Sequence, residues 1–166
     1  KMHHEYKMLI MNKLFYLLKT VFIAAVVLFA TACEKDELIG KYDIAGDWKM
    51  VAYIEHNTFR VIKKTEENTW SAYNNGDVTV SFTPADLTGG VISGIKITNM
   101  FFGEYTIDNK GSIKTGDIIQ TMVNEPLWGR LFSSISYAER YEVRDGRLKI
   151  YCNHGKESII LEKVNK

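Results

Sequence analysis

Few side chains in this sequence have the types and spacing that chemistry requires. Beyond residue 32 there are two histidines, His56 and His154, in unlike contexts with no ligand spacing between them. A transition-metal site needs three or four N, S or O ligands brought together, so no metal centre is expected. His154 stands in an Asn-His-Gly turn and reads as an exposed turn residue. Ser133 and Ser134 fall within a helical pattern, not at a strand-to-helix elbow, and Gly-x-Ser-x-Gly is absent. Gly89-Gly90 and Ile92-Ser93-Gly94 lead into no Gly-Lys-Ser/Thr, so they make no phosphate loop. Glu139, Glu142 and Asp145 alternate with Arg140, Arg144 and Arg147, as surface charges paired along strands do. Cys152 ends the apolar run from Leu148 and reads as a small buried hydrophobe, not a nucleophile. The expectation is therefore a non-enzyme, with no catalytic residue, no metal and no cofactor, and with ligand-binding residues unassigned. Cys33 alone has surroundings that specify a reaction.

That cysteine closes a charge-free stretch over residues 20–33. Residues 21–30 are an unbroken apolar run, Lys13 and Lys19 precede it, and Ala30-Thr31-Ala32 bring it to its end. Basic, then apolar, then small is the order of a secretory signal peptide. A bilayer-spanning helix needs roughly 20 apolar residues, and extending the run back to Leu14 would bury Lys19, which disfavours a retained anchor. Met11-Asn12-Lys13 is the more natural start, so residues 1–10 are expected to be a gene-model extension. The ending Phe29-Ala30-Thr31-Ala32-Cys33 resembles the lipobox of bacterial lipoproteins, with Ala30 where leucine is usual. The resemblance implies cleavage between Ala32 and Cys33, a diacylglycerol thioether on Cys33, and attachment to the membrane through acyl chains there. The alternative is an ordinary signal peptide cut near a cysteine. The implied address is the bacterial cell envelope, as an outer-membrane lipoprotein facing either the periplasm or the cell surface. Glu34-Lys35-Asp36-Glu37 is either an acidic surface-export tag or a plain solvated tether.

The expected organisation is a signal peptide over 1–32, a lipidated tether over 33–45 and a folded domain over 46–166. The whole chain has 21 basic and 20 acidic residues. Residues 1–32 hold four of the former and one of the latter, so the processed chain of 134 residues carries a net charge of −2. No basic field for nucleic acid is present. A chain of that length buries about two-thirds of its unfolded surface, enough for one independent core. Composition is that of a globular protein, 46% hydrophobic and 12% aromatic, with only two prolines.

Periodicity places strands along most of the domain. Alternation over residues 47–55 puts Trp48, Met50, Ala52 and Ile54 on one face. Further strands are expected over 58–63, 78–82 (stopping at Pro84), 91–97, 103–107, 112–114, 118–122, 141–143, 148–152 and 158–162. Asn74-Asn75-Gly76-Asp77, Asp108-Asn109-Lys110-Gly111, Arg144-Asp145-Gly146 and Asn153-His154-Gly155 supply the turns. One segment differs. Asn124 can cap, Pro126 suits a first turn, and Leu127, Trp128, Leu131, Phe132, Ile135 and Ala138 recur at helical spacing, predicting a helix over 125–138. Leu127, Leu131 and Ile135 share a face expected to close one end or side of the sheet. The fold class is mainly β (α+β): a curved antiparallel sheet or partly open barrel, with one helix inserted before the last hairpins.

In that order the pieces resemble a META domain, the module of small bacterial envelope proteins associated with stress response, from Gly46 to Lys163. Gly46-Asp47-Trp48 opens it; residues 94–99 followed by Phe102-Gly103-Glu104-Tyr105, then Thr121-Met122, the helix, residues 138–141, Asp145-Gly146 and Leu148 follow in family order. Thr98 and Asn124 stand where many members carry cysteines, so a bridge between those positions is excluded. Gly-x-Trp also opens lipocalin-like barrels, whose helix follows the whole barrel instead of interrupting it. The resemblance implies a binding or structural role and supplies no catalytic residue.

Two functions are therefore expected. The first is a non-catalytic, membrane-anchored envelope lipoprotein that binds an unidentified envelope protein or supports the envelope under stress. The second is a lipocalin-like carrier of a small apolar ligand, which needs an internal pocket of a few hundred Å³. Aromatics are the one enriched chemistry. Most should fill the core, while Trp70, Tyr73, Phe101 or Phe102 could form an exposed patch for a partner.

Overall fold

The computed structural model describes residues 43–164. The expected signal peptide, Cys33 and the expected tether up to residue 42 lie outside the described residues. Ten strands form one antiparallel sheet: β1 Gly46–Glu55, β2 Arg60–Ile62, β3 Thr79–Asp86, β4 Gly89–Ile95, β5 Met100–Ile107, β6 Ile113–Thr115, β7 Ile119–Gln120, β8 Ala138–Arg144, β9 Arg147–Cys152 and β10 Glu157–Lys163. Their order is β6-β5-β4-β3-β1-β10-β9-β8, with β2 beside β1 and β7 beside β5. The two ends of that path meet at a seam. There Ser112 bridges Arg140, and the Tyr141 amide donates to the Gly111 carbonyl at 2.8 Å. The sheet is thus a nearly closed barrel, the mainly β architecture that the sequence predicts.

Turn chemistry sets the registers. Asp145 and Gly146 take φ of 52° and 71°, and this two-residue left-handed turn pairs Arg144 with Arg147. Asn153, His154 and Gly155 also have positive φ, and the Asn153 side-chain amide is tied to the Glu157 carboxylate. Both turns fall where the sequence places them.

A β-bulge corrects one expectation. The β1–β10 register shifts between Met50 and Ala52. Trp48 and Met50 point inward, and Tyr53, not Ala52, is the next inward side chain, opposite Ile159. The extra residue moves Ala52 and Ile54 to the outer face. Strand β3 also runs past Pro84 to Asp86 instead of stopping before it. Its pairing with β1 ends at Phe82, so the missing proline N–H faces an unpaired side of the sheet.

The expected helix over 125–138 is not one element. An α-helix, α1, covers only Leu127–Leu131, a 3-10 helix follows over Phe132–Tyr137, and Ala138 already begins β8. Ser134 favours the change. The Ser134 hydroxyl donates back to the Leu131 carbonyl at 3.0 Å, which competes with the α-helical ladder. Trp128, Phe132 and Ile135 bury completely beneath the sheet, whereas Leu127 is 39% exposed and Leu131 only partly buried. The apolar face is therefore rotated from the one expected.

Large aromatics occupy the interior. Trp48, Phe82, Tyr105, Trp128, Phe132 and Tyr141 are each 2% exposed or less. Phe82 meets Tyr105 edge-on at 5.2 Å, and Phe101 meets Phe132 at 5.3 Å, separations at which aromatic pairs attract.

Candidate functional site

Among the described residues, His56, His154 and Cys152 do not share a cleft. His56 Nε2 lies 2.8 Å from Ser158 Oγ, and the imidazole stacks on Tyr151. Ser158 is completely buried, however, so no substrate reaches its hydroxyl. His154 is exposed and pairs with Glu139 at 3.0 Å, as a turn residue would. Among the described residues no three His, Cys, Asp or Glu side chains are placed to hold a metal ion. Cys152 is buried and free, and burial pushes its thiol up to about 12. Burial raises Tyr53 beside it as well, and the Ser134 hydroxyl opposes the shift in both. Two perturbed groups thus meet, but in the core and in their neutral forms.

The alternating charges of β8 and β9 are engaged, though in part with partners other than those expected. Arg147 binds Glu162 of β10 at 2.9 Å, Glu142 accepts from the Tyr151 hydroxyl at 2.8 Å, and Arg140 lies 3.9 Å over the Tyr151 ring. Glu142, Arg147 and Glu162 line a concavity of about 870 Å³ on the outer face of β1, β10, β9 and β8. Within it Arg147 pairs with Glu162 and Arg144 with Asp145, while the Lys149 and Lys163 ammonium groups lie over the Tyr151 and Trp48 rings.

A second arrangement holds the β4–β5 turn to the segment before α1. Glu125, 8% exposed, aims its carboxylate into that turn. Oε1 accepts from the Ile97 amide at 2.9 Å and the Thr98 amide at 3.3 Å, and Oε2 from the Asn99 amide at 3.2 Å and its Nδ2 at 2.6 Å. Asn99 Oδ1 in turn accepts from the Val123 amide at 2.7 Å, and the Thr98 hydroxyl donates to the Asn124 carbonyl at 2.7 Å. Gly129 makes room for this. A Cβ there would lie 2.2 Å from Glu125 Oε1. The sequence reading has Glu125 as the start of a helix and misses this role; an acid one residue before Pro126 is the only signal it offers.

Beside this staple lies Lys96, 4% exposed. Its Nζ donates to Gln120 Oε1 at 2.6 Å and to Ser133 Oγ at 2.7 Å. Burial lowers its pKa, and the charge of Glu125 acts in the opposite direction. Lys96, Gln120 and Ser133 line a pocket of about 120 Å³ walled by Phe101, Ile118 and Ile135.

On the outer face of β4, β5 and β7, large apolar side chains stand in solvent. Met100 is 64% exposed, Phe102 54%, Ile119 58%, Met122 88% and Val123 59%. Met100, Phe102 and Ile119 line an apolar groove of about 520 Å³. Of the four aromatics expected as a patch, Phe102, Trp70 and Tyr73 are exposed, but Phe101 is 3% exposed and packs on Phe132. Strand alternation sends neighbours to opposite faces, which separates the two phenylalanines.

No protein-family model matches the chain, and no curated protein matches it. Among solved structures it is similar to a DUF4847 family protein from Bacteroides vulgatus, with a TM-score of 0.52 and 14% sequence identity. The match covers 74% of this chain and 94% of that one. At that identity the likeness concerns the fold.

Proposed function

We propose that this chain is a non-catalytic envelope lipoprotein, anchored through acyl chains on Cys33, whose barrel binds a protein partner on its apolar outer strip. The observation that carries the reading is the contrast between inside and outside. The barrel buries six large aromatics in its interior and leaves Met100, Phe102, Ile119 and Met122 in water. Contiguous exposed apolar residues of this kind mark interaction surfaces. Strand β7, only two residues long, gives the groove an open edge to which an extended segment can add. The pocket beside Lys96, about 120 Å³, is small for a whole apolar ligand, which weighs against the carrier.

The META-domain resemblance adds an association with envelope stress. Thr98 and Asn124, where that family carries cysteines, are hydrogen-bonded neighbours, which supports the alignment of those two positions. The test is site-specific photocrosslinking in intact cells. A probe at Phe102 or Ile119 should trap a discrete protein adduct that Met100→Glu abolishes. Equal adducts from a probe at Lys149, on the opposite outer face, would overturn the assignment. A lipid recovered stoichiometrically with the purified protein would favour the carrier.

A further inference from the structure

We propose that the pocket beside Lys96 is a binding site for the carboxylate of a short monocarboxylic acid, held by the Lys96 ammonium and the hydroxyls of Ser133 and Ser136. An ammonium has three donors. Gln120 and Ser133 take two of them, and the third finds no acceptor among the described residues. No carboxylate of the described residues lies within ion-pair distance of Nζ. Glu125, the acid whose charge Lys96 feels, spends its oxygens on the amides of residues 97–99. A buried cation with only neutral partners is costly, and an anion of its own removes most of that cost.

The pocket has the size and polarity for one. Its volume of about 120 Å³ exceeds the ~30 Å³ that one water occupies in the liquid, which leaves room for an anion of a few heavy atoms. Serine hydroxyls and the Gln120 amide offer further donors, while Phe101, Ile118 and Ile135 present apolar walls. Those walls suit the methyl or methylene end of a carboxylic acid better than a fully hydrated ion such as phosphate. Gln120 is exposed and stands at the boundary, because it and Phe101 also line the apolar groove on the outer face. The carboxylate can therefore belong to a free small acid or be the head of a longer acyl chain lying in that groove.

The experiment is calorimetric titration of the full chain, solubilised in a non-ionic detergent, with sodium acetate and separately with sodium hexanoate, against sodium chloride at equal ionic strength. Saturable acetate binding is expected, weakened about tenfold or more in Lys96→Met. Gln120→Glu, which installs an internal carboxylate at the position that already receives an Nζ bond, should abolish it while leaving the melting temperature unreduced. Hexanoate binding tighter than acetate, and losing that advantage in Met100→Glu, identifies the acyl-chain source; equal affinities identify the free acid. Acetate that fails to saturate, or that binds Lys96→Met as it binds the parent, overturns the proposal.

Discussion

Cys152 shows how burial decides the behaviour of a reactive group. Its thiol is raised to about 12 chiefly by desolvation, whereas an exposed thiol titrates near 9. Between those values the unfolded chain loses a proton that the folded chain keeps. Stability from this group is complete below pH 9 and lost as pH rises toward 12, by about 1.4 kcal/mol per unit. Burial raises Tyr53 and Tyr105 too, so both add to the loss above pH 10. Chemical denaturation at pH 8, 9 and 10 should show stability falling from pH 9, and Cys152→Ala should flatten the first unit of that fall. A fall that is unchanged in the variant would assign it elsewhere. Tyr105 carries a second prediction. Its hydroxyl is buried with no hydrogen-bond partner among the described residues. An unsatisfied buried hydroxyl costs about 1–3 kcal/mol, so Tyr105→Phe should hold or raise the melting temperature; a clear drop would reveal an unseen partner. The sequence shows that Cys152 is apolar in context, but not that it shares Ser134 with Tyr53. That meeting joins β1, β9 and the 3-10 helix, and depends on the bulge that turns Tyr53 inward.

At the scale of elements, the segment from Glu125 to Ala138 separates what periodicity can and cannot locate. Helical spacing correctly marks an apolar segment that packs under the sheet, and Trp128, Phe132 and Ile135 are fully buried. It misplaces the buried face, because the turn tightens to 3-10 after Leu131 and each residue there advances farther around the axis. Phe132→Ala should therefore cost about 3–5 kcal/mol, the usual loss for a buried aromatic, while Leu131→Ala costs less than a fully buried leucine and Leu127→Ala costs little. Urea unfolding of the three variants checks the ranking; Leu127 as the costliest would restore the regular helix. The Glu125 staple gives a sharper test. Gly129→Ala places a methyl where the carboxylate lies, and Glu125→Gln turns one acceptor into a donor facing backbone amides. Each should destabilise by at least about 2 kcal/mol. Their double variant should cost less than the sum, since both break one arrangement.

For the molecule as a whole, the proposed membrane anchor and the proposed docking strip answer to separate experiments. Cys33→Ser should release the protein from the detergent phase on partitioning; unchanged partitioning would sink the lipid-anchor reading. Met100→Glu with Phe102→Glu should leave the free energy of unfolding within about 1 kcal/mol of the parent, as substitutions at exposed positions do, yet abolish partner crosslinking. The strand content, the turns at Asp145-Gly146 and Asn153-His154-Gly155, the burial of Cys152 and the inserted apolar segment were all determined by the sequence itself. These follow from local rules, namely alternation with period two and residues that tolerate positive φ. The closing of the sheet at Ser112 and Arg140, the bulge that exchanges Tyr53 for Ala52, and the convergence of Lys96, Gln120 and Ser133 were decided only in the tertiary structure. Each joins residues far apart in the chain, and at such separations one-dimensional periodicity carries no information about which side chains meet.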